Sequence, residues 1–157
     1  MIPSRTDRKS MNIDRFAECA NRIVDEEVPE PILRDLNLGI VIAEEEKAGG
    51  GNSYVLGQYS VSSMGRSVVL FYGSFRALYS GEPEESWERR IRNTIKHELR
   101  HHVESLAGDE QLARQERRNR GRRKRRKPGK ARTRPTLLSS ILQRIAGWFR
   151  RMGISSD

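Results

Sequence analysis

The sequence has few of the residues that build disulfide-linked or membrane-embedded proteins. Cys19 is the only cysteine among 157 residues, so a disulfide within the chain and a cysteine metal cluster are both excluded, which favours a reducing compartment. No stretch approaches the roughly 18 consecutive apolar residues of a membrane span. Residues 1–14 carry positive charge, but no apolar run follows, as a secretory signal requires. We therefore expect a cytoplasmic protein.

Apolar residues are also scarce, and the charges are unevenly distributed. Hydrophobic residues make up 35% and charged residues 32% of the chain, so part of the chain is expected to lie outside any core. Residues 1–113 contain 14 basic and 19 acidic residues and have a net charge of −5. Residues 114–157 have a net charge of +14, so the whole chain has +9. The composition predicts one mildly acidic domain over residues 1–113 and a separate basic tail.

Periodicity within residues 1–113 predicts an α+β domain with a short mixed sheet. Apolar residues recur at spacings of three and four over residues 13–28, which is typical of a helix with one buried face. Pro29 and Pro31 interrupt this helix. Three strands are predicted at residues 38–42, 54–61 and 67–72. A second long helix is predicted to begin after Pro83 and to end near Gly108.

The second long helix contains an H-E-x-x-H pattern formed by His97, Glu98 and His101. Positions i and i+4 lie one above the other on a helix, so both imidazoles can bind one zinc ion, and the adjacent glutamate can polarise water. An apolar arc occupies roughly the opposite side of the helix and consists of Trp87, Ile91, Ile95, Leu99, His102, Val103 and Leu106. We therefore expect His102 to be a core histidine, and His97 and His101 to face away from the core.

The run IRNTIKHELRHHVESLAG, from Ile91 to Gly108, resembles the active-site helix of the minimal zincin-like metallopeptidase family of bacteria, which has a T-x-x-H-E-x-x-H-H core. The resemblance extends over residues 13–113 and includes SVVLFYGSF (67–75) and the order helix, strand, strand, strand, helix. It implies a zincin-like fold, a Zn²⁺ cofactor, and a peptide or protein substrate. It further implies that His97 and His101 are zinc ligands and that Glu98 is the general base.

A third zinc ligand is not fixed by the pattern. Many zincins have a glycine three residues after the second histidine and a ligand three residues later, but here those positions hold Glu104 and Ala107. Glu104 lies one turn beyond the histidines on the same helical face. Asp109 follows Gly108, where the chain could turn back toward the metal. We favour Asp109 slightly over Glu104, and the alternative for each is an ordinary solvated carboxylate.

Two further features of the domain bear on a peptidase. Tyr54, Tyr59 and Tyr72 are candidate donors to a substrate carbonyl, but no motif supports any of them, and tyrosines in strands are usually packing residues. The strand at 67–72, if it lies at the sheet edge, could bind an extended peptide by strand addition.

The basic tail suggests a second kind of interaction. Residues 114–134 contain thirteen Lys or Arg and one acidic residue, so residues 114–135 are expected to be a disordered linker with affinity for polyanions. Residues 136–157 are predicted to contain an amphipathic helix. Residues 114–151 together could bind nucleic acid without sequence specificity, or an anionic membrane surface, which would make the protein peripheral at the inner membrane. The alternative to a zinc peptidase is therefore a polyanion-binding or membrane-surface adaptor with a catalytically silent domain.

Overall fold

The computed structural model describes residues 11–124 together with Gly147 and Trp148. The chain divides into two compact units, Met1–His102 and Val103–Asp157. The first unit contains six complete helices and strands and the beginning of a seventh element, the long helix with the histidines. Its fold is α+β, as the sequence predicts.

The elements follow each other as α1 (Ile13–Glu27), α2 (Glu30–Leu33), β1 (Ile40–Ala43), β2 (Gly57–Ser62), β3 (Gly65–Phe71), α3 (Tyr72–Tyr79) and α4 (Glu84–Lys124). Helix α1 begins where the side chain of Asn12 accepts a hydrogen bond from the Arg15 backbone N–H. It ends before Pro29, and α2 is a single turn between this proline and β1. The predicted order of helix, three strands and helix is confirmed, and α2 and α3 are additional short helices.

The three strands form one mixed sheet in the order β1-β3-β2. Strand β3 pairs in parallel with β1 and antiparallel with β2. Ser63 and Met64 connect β2 to β3, and Gly65 follows with a φ of 146°, a conformation that other residues rarely adopt. Because β3 lies in the middle, its two edges are both paired. The hypothesis that residues 67–72 offer a free edge to a peptide is therefore wrong, and β2 is an edge strand instead.

The core lies between the sheet and the helices and contains a cluster of aromatic rings. Phe16 of α1 contacts Tyr72, Phe75 and Trp87 with ring centroids 4.9–6.2 Å apart. The Trp87 indole N–H donates to the Tyr79 carbonyl at 2.9 Å. Sequence reasoning places Tyr72 in a strand, whereas it begins α3, and its hydroxyl donates to the Met11 carbonyl. Tyr72 is thus a core residue and not a candidate catalytic donor.

Helix α4 begins at Glu84, as predicted, but continues to Lys124. The predicted end near Gly108 is wrong, and residues 114–124 are helical where a disordered linker is expected. The next proline is Pro128, and Gln, Glu, Arg and Lys after Gly108 are good helix formers. Arg114 also donates to Glu110 one turn earlier, at 2.5 Å. One glycine is therefore not sufficient to end the helix.

The remaining predictions for the tail fall outside the described residues. This applies to residues 125–135 of the basic linker and to the amphipathic helix predicted within 136–157, of which Gly147 and Trp148 alone are described, as helical. Of the helices that the structure describes, none combines the length and apolar character required to cross a bilayer.

Candidate metal centre

The apolar arc predicted for α4 is buried in the first unit. Trp87, Ile91, Ile95, Leu99 and His102 are each exposed by 1% or less. His97 and His101 are exposed, as the opposite position on the helix predicts. The register of α4 therefore presents two histidines outward while its other side closes the core.

The side chains of His97 and His101 converge. Their Nε2 atoms lie 3.3 Å apart, and their rings are nearly perpendicular at 89°. A tetrahedral zinc ion with two imidazole nitrogens at about 2.0–2.1 Å would place those nitrogens about 3.3 Å apart. The same distance also permits a hydrogen bond between two neutral rings. The two nitrogens are thus spaced for one metal ion.

Glu98 is buried against the sheet. It is 7% exposed, and its Oε2 accepts a hydrogen bond of 2.9 Å from the Tyr59 backbone N–H. Glu98 lies about 100° round the helix from His97 and about 60° from His101, so it borders the face of the histidines while its carboxylate packs inward. One oxygen of the Glu98 carboxylate is therefore held by a backbone hydrogen bond.

His102 is a core histidine, as predicted. It is fully buried, and its Nε2 lies 3.1 Å from the Ile32 carbonyl oxygen. A carbonyl can only accept, so Nε2 carries the proton and Nδ1 accepts from the Tyr59 hydroxyl at 3.2 Å. Burial lowers the pKa of His102, against the weaker effect of the Ile32 hydrogen bond, and this favours the neutral ring. Of the three histidines, His102 is therefore the one with a structural role in the core.

The two predicted candidates for a third ligand lie in the second unit. Glu104 and Asp109 are both exposed, and both belong to the continuous helix α4. The preference for Asp109 depended on a turn after Gly108, whereas the helix continues through this position. Within the part of the chain that the structure describes, no three His, Cys, Asp or Glu side chains are grouped as a metal site. A third ligand therefore stays a prediction from the sequence.

Three residues near Glu98 have contacts that sequence reasoning did not anticipate. The sequence offers Tyr59 as a packing residue or as a donor to substrate, whereas in the structure it binds Glu98 through its amide and His102 through its hydroxyl. Gly57 and Thr94 face each other between β2 and α4. The only indication of Thr94 in the sequence was its place as the first residue of the T-x-x-H-E-x-x-H-H pattern. A pairing between residues 37 positions apart has no signature in one sequence.

Comparison with known proteins identifies a relative of known structure. No family model matches the chain, and no curated protein matches it. A solved structure of a conserved hypothetical protein from Thermus thermophilus is similar, with 34% identity and a TM-score of 0.53, and the match covers 62% of this chain and 99% of that one. The chain belongs to the family of that protein. Membership in this family supports the α+β fold and, because the relative is described as hypothetical, names no activity.

Proposed function

We propose that the chain is a zinc-dependent metallopeptidase of the zincin type, in which His97 and His101 bind the metal and Glu98 is the general base. The observation that carries the proposal is the 3.3 Å separation of the two Nε2 atoms. This separation matches the edge of a zinc coordination tetrahedron. Two neutral imidazoles also suit zinc in the chemistry of their donor atoms.

The proposal assigns each of these side chains a chemical role. When bound, zinc would activate water near neutral pH and polarise a peptide carbonyl. Glu98 takes a proton from the attacking water as the water oxygen bonds to the carbonyl carbon, and it delivers this proton to the amine nitrogen as the C–N bond breaks. The Tyr59 amide holds Oε2 of Glu98, so Oε1 is the oxygen that receives this proton.

Substitution of Glu98 tests the mechanism. Glu98→Gln has nearly the same shape but cannot accept the proton, so zinc should be retained while cleavage of a mixed peptide library falls by at least about 100-fold. His97→Ala should lose the zinc as well. Glu45→Gln, in the exposed loop after β1, is the matched control and should cleave like the unaltered chain.

Two outcomes would overturn the peptidase. One is equal cleavage by Glu98→Gln. The other is the absence of any cleavage of the library by the zinc-loaded full chain, which would leave at most a metal-binding protein.

The second candidate is an adaptor that binds polyanions or an anionic membrane surface, with a catalytically silent domain. It is favoured by the basic segment of residues 114–124, which continues as helix. Metal content separates the two functions, since an adaptor has no need of stoichiometric zinc. Salt-sensitive binding to a homopolymeric RNA, compared with binding to vesicles of anionic lipid, would identify the class of partner.

A further inference from the structure

We propose that Gly57 is a positioning residue for Glu98: the absence of a side chain at Gly57 lets β2 approach Thr94 of α4, and this approach brings the Tyr59 amide to the Glu98 carboxylate. The inference rests on the proposed function in so far as it assigns Glu98 as the base. Its structural part concerns the contact between the strand and the helix, and that part can be tested without enzymatic activity.

The Tyr59 amide is available to Glu98 because of the register of β2. Tyr59 lies opposite Val68 in the antiparallel pair, and Leu56 accepts from the Phe71 N–H at 2.9 Å. Hydrogen-bonded positions alternate along an antiparallel strand, so Leu56 and Gln58 point their backbone groups at β3 and Tyr59 points its N–H away from it. This outward N–H reaches Glu98.

Space at Gly57 is what permits the approach. A Cβ at this position would lie 2.5 Å from Thr94 Cγ2 and 3.2 Å from Glu98 Cγ. Among the described residues, the glycines with positive φ are Gly39, Gly51 and Gly65. The backbone of Gly57 therefore adopts a conformation open to other residues, and glycine is required there for its size alone.

Thr94 cannot easily move its methyl group aside. Its Oγ1 donates to the Arg90 carbonyl at 2.9 Å, which fixes the side-chain rotamer and directs Cγ2 toward the strand. An alanine at Gly57 would therefore displace the strand from the helix. Reducing Thr94 to serine would remove the obstructing methyl while keeping the hydroxyl that binds Arg90.

Tyr59 is held at both ends. Its hydroxyl donates to His102, and its ring lies 5.3 Å from the imidazole. Displacement of β2 at Gly57 therefore moves the amide of Tyr59 while His102 restrains the ring, and the bond to Glu98 is the contact that breaks. A carboxylate released from this bond is free to leave the geometry required for proton transfer.

The chemical shift of the Tyr59 amide proton in the full chain reports this bond directly. Glu98→Ala should move it upfield, which establishes the signal as the reporter. Gly57→Ala should move it upfield as well, and Gly57→Ala combined with Thr94→Ser should restore the unaltered position. Gly50→Ala is the matched control, because nothing lies within 4 Å of a Cβ at Gly50, and it should leave the signal unchanged.

An unmoved Tyr59 amide in Gly57→Ala, or a double variant that does not restore the signal, would overturn the proposal. If Gly57→Ala does not fold, the double variant decides alone: a folded protein with the original amide shift supports the proposal, and an unfolded one refutes it.

Activity gives a second readout. Gly57→Ala should lower kcat by about tenfold with KM changed less than about twofold, and Thr94→Ser should rescue it. If the amide fails to respond while Glu98→Gln still abolishes cleavage, the positioning role alone fails. If Glu98→Gln cleaves normally, the proposed function fails whatever the amide shows.

Discussion

Helix α4 is held by two different kinds of contact on its two sides. Toward α1 the contacts at the surface are ion pairs between long side chains: Arg15 with Glu84, Arg22 with Glu88, and Arg92 with Glu27, at 2.6–3.0 Å. Arg92 also pairs with Glu88 one turn earlier within α4, at 2.7 Å. Toward β2 the contacts are short and depend on backbone: Gly57 against Thr94, the Tyr59 amide on Glu98, and the Tyr59 hydroxyl on His102.

The difference shows that the position of α4 is constrained more tightly toward β2 than toward α1. Long flexible side chains can re-form an ion pair after a small shift of either helix, and exposed pairs contribute little each. A missing side chain at Gly57 and a fixed backbone donor at Tyr59 allow no such adjustment. The residues proposed to act in catalysis lie beside the constrained contact, whereas the α1 side supplies the packing that holds α4 in place.

The largest effect is expected from the core beneath the ion pairs. Trp87 is 1% exposed and contacts four aromatic rings, so Trp87→Ala should lower the free energy of unfolding by about 4 kcal/mol. Urea unfolding followed by circular dichroism measures this. A loss below about 1 kcal/mol would show that the α1 side does not anchor the helix.

The next effect is expected on the β2 side. His102→Ala leaves the Tyr59 hydroxyl and the Ile32 carbonyl without their partner and opens a cavity, so it should destabilise the protein by about 3 kcal/mol. With both variants measured in the absence of zinc, His101→Ala, one residue earlier and exposed, is the control and should change stability by less than about 0.5 kcal/mol. Equal losses in the two variants would remove the distinction between the core histidine and the open pair.

The smallest effect is expected from the ion pairs and should depend on pH. Hydrogen bonds from Arg92 and then from Arg22 lower the pKa of Glu88 below its usual 4.5. The unfolded chain therefore binds a proton at higher pH than the folded protein, and the contribution of Glu88 is full above pH 4.5 and is lost as the pH falls through its folded pKa.

Urea midpoints at about pH 7 and about pH 3.5 measure this dependence. Glu88→Gln should reduce the loss of stability in acid, and Glu45→Gln, outside the ion pairs, serves as its control. An acid dependence that is identical in Glu88→Gln and the unaltered chain would show that this side of α4 gains nothing from the pairs.

The faces of α4 were predictable from sequence because each depends on helical periodicity alone. The spacing of Ile91, Ile95 and Leu99 fixes the buried side, and that side fixes where His97 and His101 point. The same reasoning separated His102 from the other two histidines. The fold class followed from the order of periodic segments.

The neighbours of α4 were not predictable in the same way. Which strand lies at the sheet edge depends on pairing between distant residues, so the sequence left an edge position open for residues 67–72, and the structure excludes it. The close approach at Gly57 depends on Thr94, 37 positions away, and on the rotamer fixed by Arg90. The length of α4 was missed because Gly108 indicates an end of the helix only when the following residues also disfavour it.

The most direct test of the central claim is a zinc-edge absorption spectrum of the zinc-loaded full chain, recorded beside His97→Ala. The account predicts one zinc per chain with two imidazole nitrogens at about 2.0–2.1 Å, and loss of the bound metal in His97→Ala. A chain that takes up no stoichiometric zinc, or a nitrogen shell that is the same in His97→Ala, would contradict it, and the 3.3 Å separation of the two Nε2 atoms would then be a hydrogen bond between imidazoles.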